Sequence, residues 1–376
     1  MHQVFQPQAN QENLFSFDKT PTYLFRLHFP GSNGYRSSDC VESPASPNYL
    51  STTHSWGSPC GTDLLQLSSL QAAARLEAHL NWKCCYHGRS PCNLMSWSSS
   101  LLFLLQYGFY RHQTDPEKNG GPRPNLSDIK IIMIDTRDFP KQVFLRDLDA
   151  LKWVDDKLGL GGLHSQRKGQ FYFGEYLSQG RLDIEGNCVQ ISIQQLVDGG
   201  LFTSICPALD QPQNWSSWAK ATNNLRGSIL QNNSVDKQRI RHTIFLAQSC
   251  VGDKFIVPFA ITLLCLRSGP SDDEVIINAF QSIFTGMCIA LWDDPVLISD
   301  QDEELRFHSI KYDSQSQRMA ELRRFQQLME AVKKVQIDDP VAKITEGVKG
   351  LSTNKIPFNT PNRGFSHVGF AEEYHS

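Results

Sequence analysis

Ser96-Trp97-Ser98-Ser99-Ser100 ends a predicted strand and begins a predicted helix, and this serine-rich junction decides the fold that we expect. Two other stretches belong with it. Tyr23-Leu24-Phe25-Arg26 has an aromatic strand pattern, and Phe173-Gly174-Glu175-Tyr176-Leu177 carries a single carboxylate. Each lies in or beside a run of residues typical of β-strands. Together they supply an arginine, serines and a glutamate, which are groups that can line a polar pocket.

The composition is that of a soluble globular protein. The chain has 376 residues, 40% of them hydrophobic and 20% charged, so it can bury a sizeable core and exceeds the usual length of one domain. Its 36 basic and 39 acidic residues give a net charge of −3. Because this balance gives no electrostatic attraction to polyanions, we expect neither nucleic acid nor a membrane surface as a partner.

The N-terminal sequence indicates an intracellular, cytoplasmic location. Residues 1–6 are polar and lack the apolar core of a secretory signal. The longest apolar run covers 255–266, and Pro258 interrupts it. A membrane-spanning helix needs about 20 residues, so we expect this run to form a buried helix.

Ten cysteines with irregular spacing favour free thiols over a disulfide framework. Cys84, Cys85, His87 and Cys92 offer ligand types that zinc uses. They lack a Cys-x-x-Cys pair, however, and this favours loop and core cysteines. We therefore predict no metal site from the spacing.

The pattern of apolar residues predicts an α+β fold followed by a mainly helical region. We expect a disordered segment over 1–20, the α+β domain over 21–200, the helical region over 201–340 and a loose tail over 341–376. Strands are predicted at 22–29, 93–98, 129–134, 171–173 and around 181–182, with a strand-to-helix passage over 189–196. Before residue 200, helices are predicted from Asp63 to about residue 80 and at 101–110 and 145–158, with a loop over 159–168. Beyond it, helices are predicted at 215–230, 235–250, 255–267, 272–285 and 305–335.

The order of these motifs resembles that of the cholera-toxin-like ADP-ribosyltransferases. In those enzymes an arginine ends the first strand, a Ser-Thr-Ser motif ends a later strand and leads into a helix, and a catalytic glutamate precedes a glycine by five residues. Here Arg26, the 96–98 stretch, Glu175 and Gly180 fill these places. The chain also resembles a family of uncharacterised fungal proteins with an arginine-bearing strand, a Ser-Trp-x-Ser-Ser-Leu-Leu-Phe helix start and a Glu-Tyr-Leu-x-x-Gly segment.

The resemblance implies a fold of two sheets with a cleft between them, NAD as substrate, and roles for five residues. Glu175 and Ser96 would be catalytic, because a carboxylate stabilises the oxocarbenium charge that develops as the nicotinamide–ribose bond breaks. Arg26 would bind the diphosphate. Ser98 and His79 would support cofactor binding. The resemblance therefore also predicts that Arg26, Ser96 and Glu175 line one cleft between the two sheets.

Two departures from the family pattern keep a second hypothesis open. Phe173 stands where arginine-modifying members carry a second glutamate, so arginine as acceptor is disfavoured. Trp97 replaces the middle threonine of Ser-Thr-Ser. The first hypothesis is an NAD-dependent ADP-ribosyltransferase or NAD glycohydrolase. The second is an inactive ADP-ribosyltransferase-like interaction module that binds a protein partner.

Two other enzyme classes are disfavoured by motif context. The glycines at 159, 161 and 162 follow a predicted helix, whereas a dinucleotide-binding loop follows a strand and opens a helix. The sequence contains no Gly-x-Ser-x-Gly elbow, which argues against an α/β-hydrolase.

Overall fold

In the computed structural model, the larger of two antiparallel sheets carries all three deciding stretches. The structure describes residues 2–46, 48, 61–84, 92–113, 123–229, 237–267, 269, 276–280 and 309–338. The larger sheet has the order β6-β7-β4-β1-β5-β9, and the smaller has the order β2-β3-β8. The strands are β1 (Tyr23–His28), β2 (Tyr35–Arg36), β3 (Cys40–Glu42), β4 (Leu94–Ser98), β5 (Lys130–Asp135), β6 (Leu145–Arg146), β7 (Glu175–Gln179), β8 (Arg181–Asp183) and β9 (Cys188–Ser192).

Helices cover the sheet and make up the C-terminal part of the described chain, where no strand follows β9. They are α1 (Ser69–Leu80), α2 (Leu101–Gln113), α3 (Asp147–Leu158), α4 (Gly161–Lys168), α5 (Ile193–Asp198), α6 (Pro212–Trp215), α7 (Trp218–Ile229), α8 (Lys237–Cys250), α9 (Asp253–Leu264) and α10 (Ala320–Asp338). The mixed α and β character and the helical C-terminal part are therefore as predicted. Of the described helices, none combines the length and apolarity needed to cross a membrane.

Side chains alternate between the two faces of the larger sheet along each strand, and both faces are buried. On one face, Leu24, Ile132 and Tyr176 pack with residues of the smaller sheet, including Val41 and Leu182. On the other face, two separate apolar clusters form. The cluster around Phe25 and Ile131 contacts the C-terminal helices, and the cluster around Leu94 and Leu177 contacts α1 and α3. Ser96 and Glu175 lie on this second face with Leu94 and Leu177, whereas Arg26 alternates with Phe25 and starts on the face of Leu24 and Ile132.

The boundary predicted near residue 200 does not separate compact units. The described residues up to Gln336 belong to one compact unit, which spans that boundary. Side chains at the serine junction explain the continuity of this unit. Ser99 Oγ donates to Asp313 Oδ2 at 2.8 Å, and Ser100 Oγ donates to Glu321 Oε1 at 2.6 Å. The junction between β4 and α2 thus shares buried polar contacts with Asp313 and with Glu321 of α10. The predicted tail lies outside the described residues, as does most of the predicted helix over 272–285.

Several local predictions differ from the structure. The helix predicted from Asp63 begins only at Ser69, after a 3₁₀ turn over Leu64–Gln66, and within the described residues the helix predicted over 305–335 begins only at Ala320. Residues 2–20, expected to be disordered, lie against the fold because Phe5 and Phe15 are buried in the cluster with α1 and α3. The predicted loop over 159–168 contains the helix α4, and the basic residues of its last turn suit a helix C-terminus. Residues 171–173 are not a strand, since β7 begins only at Glu175.

Gly174 explains why β7 starts where it does. Its φ is +66°, a left-handed conformation that glycine adopts without a steric penalty. A Cβ at this position would lie 2.0 Å from Ser99 Oγ. The glycine therefore allows the chain to turn against the serine junction immediately before Glu175.

The pH dependence of stability should report the environment of His28 in β1. Burial, followed by the nearby Arg26 and Arg36, lowers the pKa of His28 to about 4. The unfolded chain therefore binds a proton at His28 more tightly than the folded protein does. Above about pH 6.5 the histidine is neutral in both states and costs no stability, and the free energy of unfolding falls as pH decreases from about 6.5 towards 4. We expect His28→Gln to flatten this part of a urea-unfolding pH profile. The matched substitution of exposed His242 on α8 should leave the profile unchanged, and an equal effect of both would contradict the assignment.

Candidate active site

The candidate site is a cleft of about 410 Å³ on the face of the larger sheet that the helices cover. Arg26, Ser96 and Glu175 all line it, so three residues separated by 70 and 79 positions in sequence meet as predicted. The prediction that the cleft lies between the two sheets is wrong. The described lining residues come from the larger sheet and its helices, and the smaller sheet packs against the opposite face.

Arg26 reaches the cleft where the backbone ladder between β1 and β4 stops. In the described strands these two neighbours pair at Phe25 and Ser98 alone, whereas β1 and β5 pair along six positions. Next to that single pair, Arg26 Nη1 donates a hydrogen bond of 2.7 Å to the Ser96 carbonyl oxygen. A side chain thus takes the place of the missing backbone bond and brings a cation to the opening.

Ser96 and Glu175 face each other across β4 and β7. The register pairs Ser98 with Glu175 and Ser96 with Leu177, so Ser96 lies diagonally from Glu175 on the same face. Ser96 Oγ donates to Glu175 Oε1 at 2.6 Å. The predicted bond between the serine and the carboxylate is therefore present.

Arg167 of α4 holds the second oxygen of Glu175. Its Nη1 bonds Glu175 Oε2 and also Asp147 Oδ2, the latter at 2.9 Å, and its Nη2 donates to the Leu80 carbonyl at 3.0 Å. Burial opposes ionisation of Glu175, but Arg167, His79 and the Ser96 hydrogen bond together lower the pKa of Glu175. Glu175 is accordingly a fixed carboxylate anion at neutral pH.

Asp147 is the more deeply buried partner of Arg167. Burial raises the pKa of Asp147 to about 7, although Arg167 acts in the opposite direction. Two carboxyl groups share one guanidinium, and the one nearer the cleft, Glu175, keeps the charge more readily. Sequence reasoning missed both Arg167 and Asp147. Only the assignment of 159–168 as helix, from the spacing of Leu160 and Leu163, could have indicated Arg167.

Ser98 and Trp97 have structural positions. Ser98 Oγ donates to the Phe173 carbonyl at 2.6 Å and accepts from the Ser100 amide at 2.9 Å. Both hydrogen bonds hold the end of β4, and they engage the hydroxyl that was predicted to support cofactor binding. Trp97 packs into the core of the opposite face, where Nε1 donates to Ser178 Oγ at 2.9 Å. The Arg26 guanidinium lies 6.0 Å from the centre of its ring. Trp97 therefore supports Arg26 and leaves the Ser96 side of the cleft open.

His79 joins the site from the last turn of α1. Its Nε2 lies 2.8 Å from Ser96 Oγ, and its Nδ1 lies 3.2 Å from Cys92 Sγ and 3.8 Å from Cys84 Sγ. Burial lowers the pKa of His79, but Cys92 and then Glu175 act in the opposite direction, and the net pKa is raised. His79 thus contacts the predicted catalytic serine directly.

Aromatic rings form the wall of the cleft away from this polar end. The Phe103 and Phe173 rings stack with centres 4.7 Å apart, and the Trp218 ring lies 5.4 Å from Phe173. Trp82 and Tyr107 extend this wall, with ring centres 5.1 Å apart. Phe173, which replaces a glutamate of the arginine-modifying enzymes, is thus part of an apolar surface suited to flat rings.

Comparison of this chain with protein-family models, curated proteins and solved structures found no match. The likeness to ADP-ribosyltransferases and to the fungal proteins stays a prediction from the motifs.

Ser96→Ala should destabilise the fold, because it removes a hydrogen bond to an ionised, buried carboxylate. Hydrogen bonds to charged groups contribute about 1.5–3 kcal/mol, and we expect a loss of this size in the free energy of unfolding by urea at pH 7. Ser249→Ala on α8 is the control, since Ser249 bonds locally to the Leu246 carbonyl. Equal losses in the two variants would show that the Ser96–Glu175 bond does not hold the site together.

Proposed function

We propose that the cleft binds NAD and that Glu175 promotes cleavage of the nicotinamide–ribose bond. The observation that carries this proposal is the state of Arg26. Among the described residues, no carboxylate pairs with its guanidinium, which has one hydrogen bond to a backbone carbonyl. Burial alone lowers the pKa of Arg26, to about 10, so the group stays cationic at neutral pH.

The energetics of Arg26 favour an anionic ligand. Burial of an unpaired ion costs several kcal/mol even after relaxation, and one hydrogen bond to a neutral carbonyl recovers only about 1–3 kcal/mol of it. A diphosphate offers planar pairs of oxygens that match a guanidinium fork and supplies the missing charge. An anion bound at the β1–β4 opening would therefore be stabilised in both the ground and the transition state.

The rest of the cleft suits the other parts of a dinucleotide. The aromatic wall supplies an apolar surface for nicotinamide or adenine. Ser96 and Glu175 line the same cleft as Arg26, and their oxygen atoms suit hydrogen bonds to ribose hydroxyls. Because β7, β4 and β1 are adjacent in the sheet, Glu175, Ser96 and Arg26 lie on neighbouring strands.

The proposed reaction moves positive charge from the pyridinium ring to the ribose. The bond between the anomeric carbon and the ring nitrogen breaks, and nicotinamide leaves as a neutral molecule with the bonding electron pair. The Glu175 carboxylate stabilises the oxocarbenium charge only as it develops, which lowers the barrier. A nucleophile then attacks the anomeric carbon and loses its proton to solvent. With Phe173 in the apolar wall, water or an acceptor other than arginine is the nucleophile that we propose.

The second candidate is an inactive interaction module with the same architecture. Arg167 favours it, because this cation occupies Glu175 Oε2 and offsets part of the carboxylate's field at the cleft. In that case the site would bind its ligand or a protein partner without turnover. The two candidates differ in one observable, which is nicotinamide release.

Glu175→Gln separates the two candidates. Glutamine keeps the size and hydrogen bonding of glutamate but removes the charge, so we expect nicotinamide release from NAD to fall about 100-fold or more, the range for loss of one preorganised electrostatic group. NAD affinity by calorimetry should change only a few fold. Glu185→Gln is the control, because Glu185 is an exposed glutamate in the turn after β8. We expect this variant to keep full activity. Equal release by wild type and Glu175→Gln, or none by wild type, would exclude the enzymatic role.

Arg26→Lys and Arg26→Ala test the binding step. Alanine removes a charge that contacts diphosphate in the ground state, so we expect NAD binding to weaken about 10- to 100-fold, as for charged hydrogen bonds of roughly 1.5–3 kcal/mol. Lysine keeps the charge but lacks the planar fork, so we expect the NAD affinity of Arg26→Lys to lie between those of wild type and Arg26→Ala. Arg36→Lys, in the smaller sheet, is the matched control. Undiminished NAD affinity in Arg26→Ala would contradict diphosphate binding at this position.

A further inference from the structure

One side-chain cluster is not used by the proposed reaction. His79, Cys84 and Cys92 bring one nitrogen and two sulfur atoms within 4.8 Å of one another, next to the candidate site. They come from three segments: the last turn of α1, the residues that follow it, and the residue two places before β4. The sequence prediction of no metal site rested on cysteine spacing and did not include His79.

The hydrogen bonds fix which nitrogen of His79 faces the sulfurs. Ser96 has one hydroxyl proton, and it goes to Glu175 Oε1, since an ionised carboxylate only accepts. His79 Nε2 must therefore carry the proton that it donates to Ser96 Oγ. In the neutral imidazole this leaves a lone pair on Nδ1, and that lone pair faces Cys84 and Cys92.

The distances match those around a tetrahedral zinc ion. With Zn–S near 2.3 Å and Zn–N near 2.0–2.1 Å, neighbouring ligand atoms lie about 3.5–3.8 Å apart. Nδ1 lies 3.2 Å from Cys92 Sγ and 3.8 Å from Cys84 Sγ, which brackets that range. An imidazole–thiol hydrogen bond would require one sulfur, whereas two sulfurs converge on this nitrogen.

We propose that His79 Nδ1, Cys84 Sγ and Cys92 Sγ bind Zn²⁺. Imidazole and thiolate are the ligands that zinc prefers, and magnesium and calcium prefer oxygen. Two thiolates neutralise the charge of the ion, which suits a site that is largely buried.

Zinc at this place would act on Ser96 through His79. A metal on Nδ1 holds the imidazole ring and keeps the proton on Nε2, as outer hydrogen bonds do for metal-bound histidines in general. The chain of donors then runs from His79 to Ser96 to Glu175. The ion would also tie the end of α1 to the start of β4. His79 is thus a positioning residue for Ser96, and the zinc site stands on side-chain geometry without any requirement for NAD.

The test measures bound metal on the full chain. We expect purified protein, dialysed against zinc and then against metal-free buffer, to keep about one zinc ion per chain by mass spectrometry of the elements, with two sulfurs and one imidazole nitrogen among the zinc neighbours by X-ray absorption. Cys84→Ser, Cys92→Ser and His79→Gln should each lose that ion. Cys250→Ser on α8, another half-buried thiol, should keep it.

Several results would overturn the assignment. They are wild type without zinc, copper retained in place of zinc, a Cys84–Cys92 disulfide in the purified protein, or zinc that persists in Cys84→Ser and Cys92→Ser. Because a variant could fail to fold, nitrogen NMR of histidine-labelled wild type provides an independent readout. Zinc should shift Nδ1 of one histidine and leave its Nε2 protonated. An imidazolium signal unchanged by zinc would show a His79–Cys92 ion pair instead.

Discussion

The hydrogen bond from Arg26 to the Ser96 carbonyl is the interaction on which the site depends. It lies where β1 and β4 stop pairing through their backbones. A sheet that stays paired would satisfy that carbonyl from the neighbouring strand and would leave no opening for a ligand. Here a guanidinium satisfies it instead and keeps donors to spare. The same break in the ladder therefore creates both the opening and the cation within it.

Around this opening, buried charges and dipoles are arranged so that most satisfy one another. Arg167 balances Glu175 and Asp147, Ser96 links Glu175 to His79, and His79 continues the chain towards two cysteines. Such a network is costly when partly satisfied and specific when complete. Arg26 is the member without an anion among the described residues, and this makes an anionic ligand the simplest completion. The aromatic wall fits the flat rings of the proposed ligand.

β1, β4 and β5 could be predicted because each lies in a local strand pattern: β1 is rich in aromatic residues and is followed by Pro30-Gly31, β4 carries Trp97, and β5 is rich in isoleucine. Arg26 and Ser96 lie within such patterns and Glu175 lies beside one. β2, β3 and β6 were not predicted, and β7 begins after the predicted strand over 171–173. Arg167 was missed because its helix is short and polar, and its contacts with Glu175 and Asp147 depend on how that helix packs against the sheet. The pairing of His79 with Cys92 likewise depends on the path from α1 to β4. The face on which the cleft opens depends on the sheet register, which no local pattern contains.

The most direct measurement is a crystal structure of the full chain with a non-hydrolysable NAD analogue. The account predicts diphosphate oxygens within hydrogen-bond distance of the Arg26 guanidinium, a ribose beside Ser96 and Glu175, and at least one ring of the ligand against the wall that includes Phe103 and Phe173. Binding of the analogue at any other surface, or an unliganded cleft at concentrations that saturate the protein in solution, would contradict it.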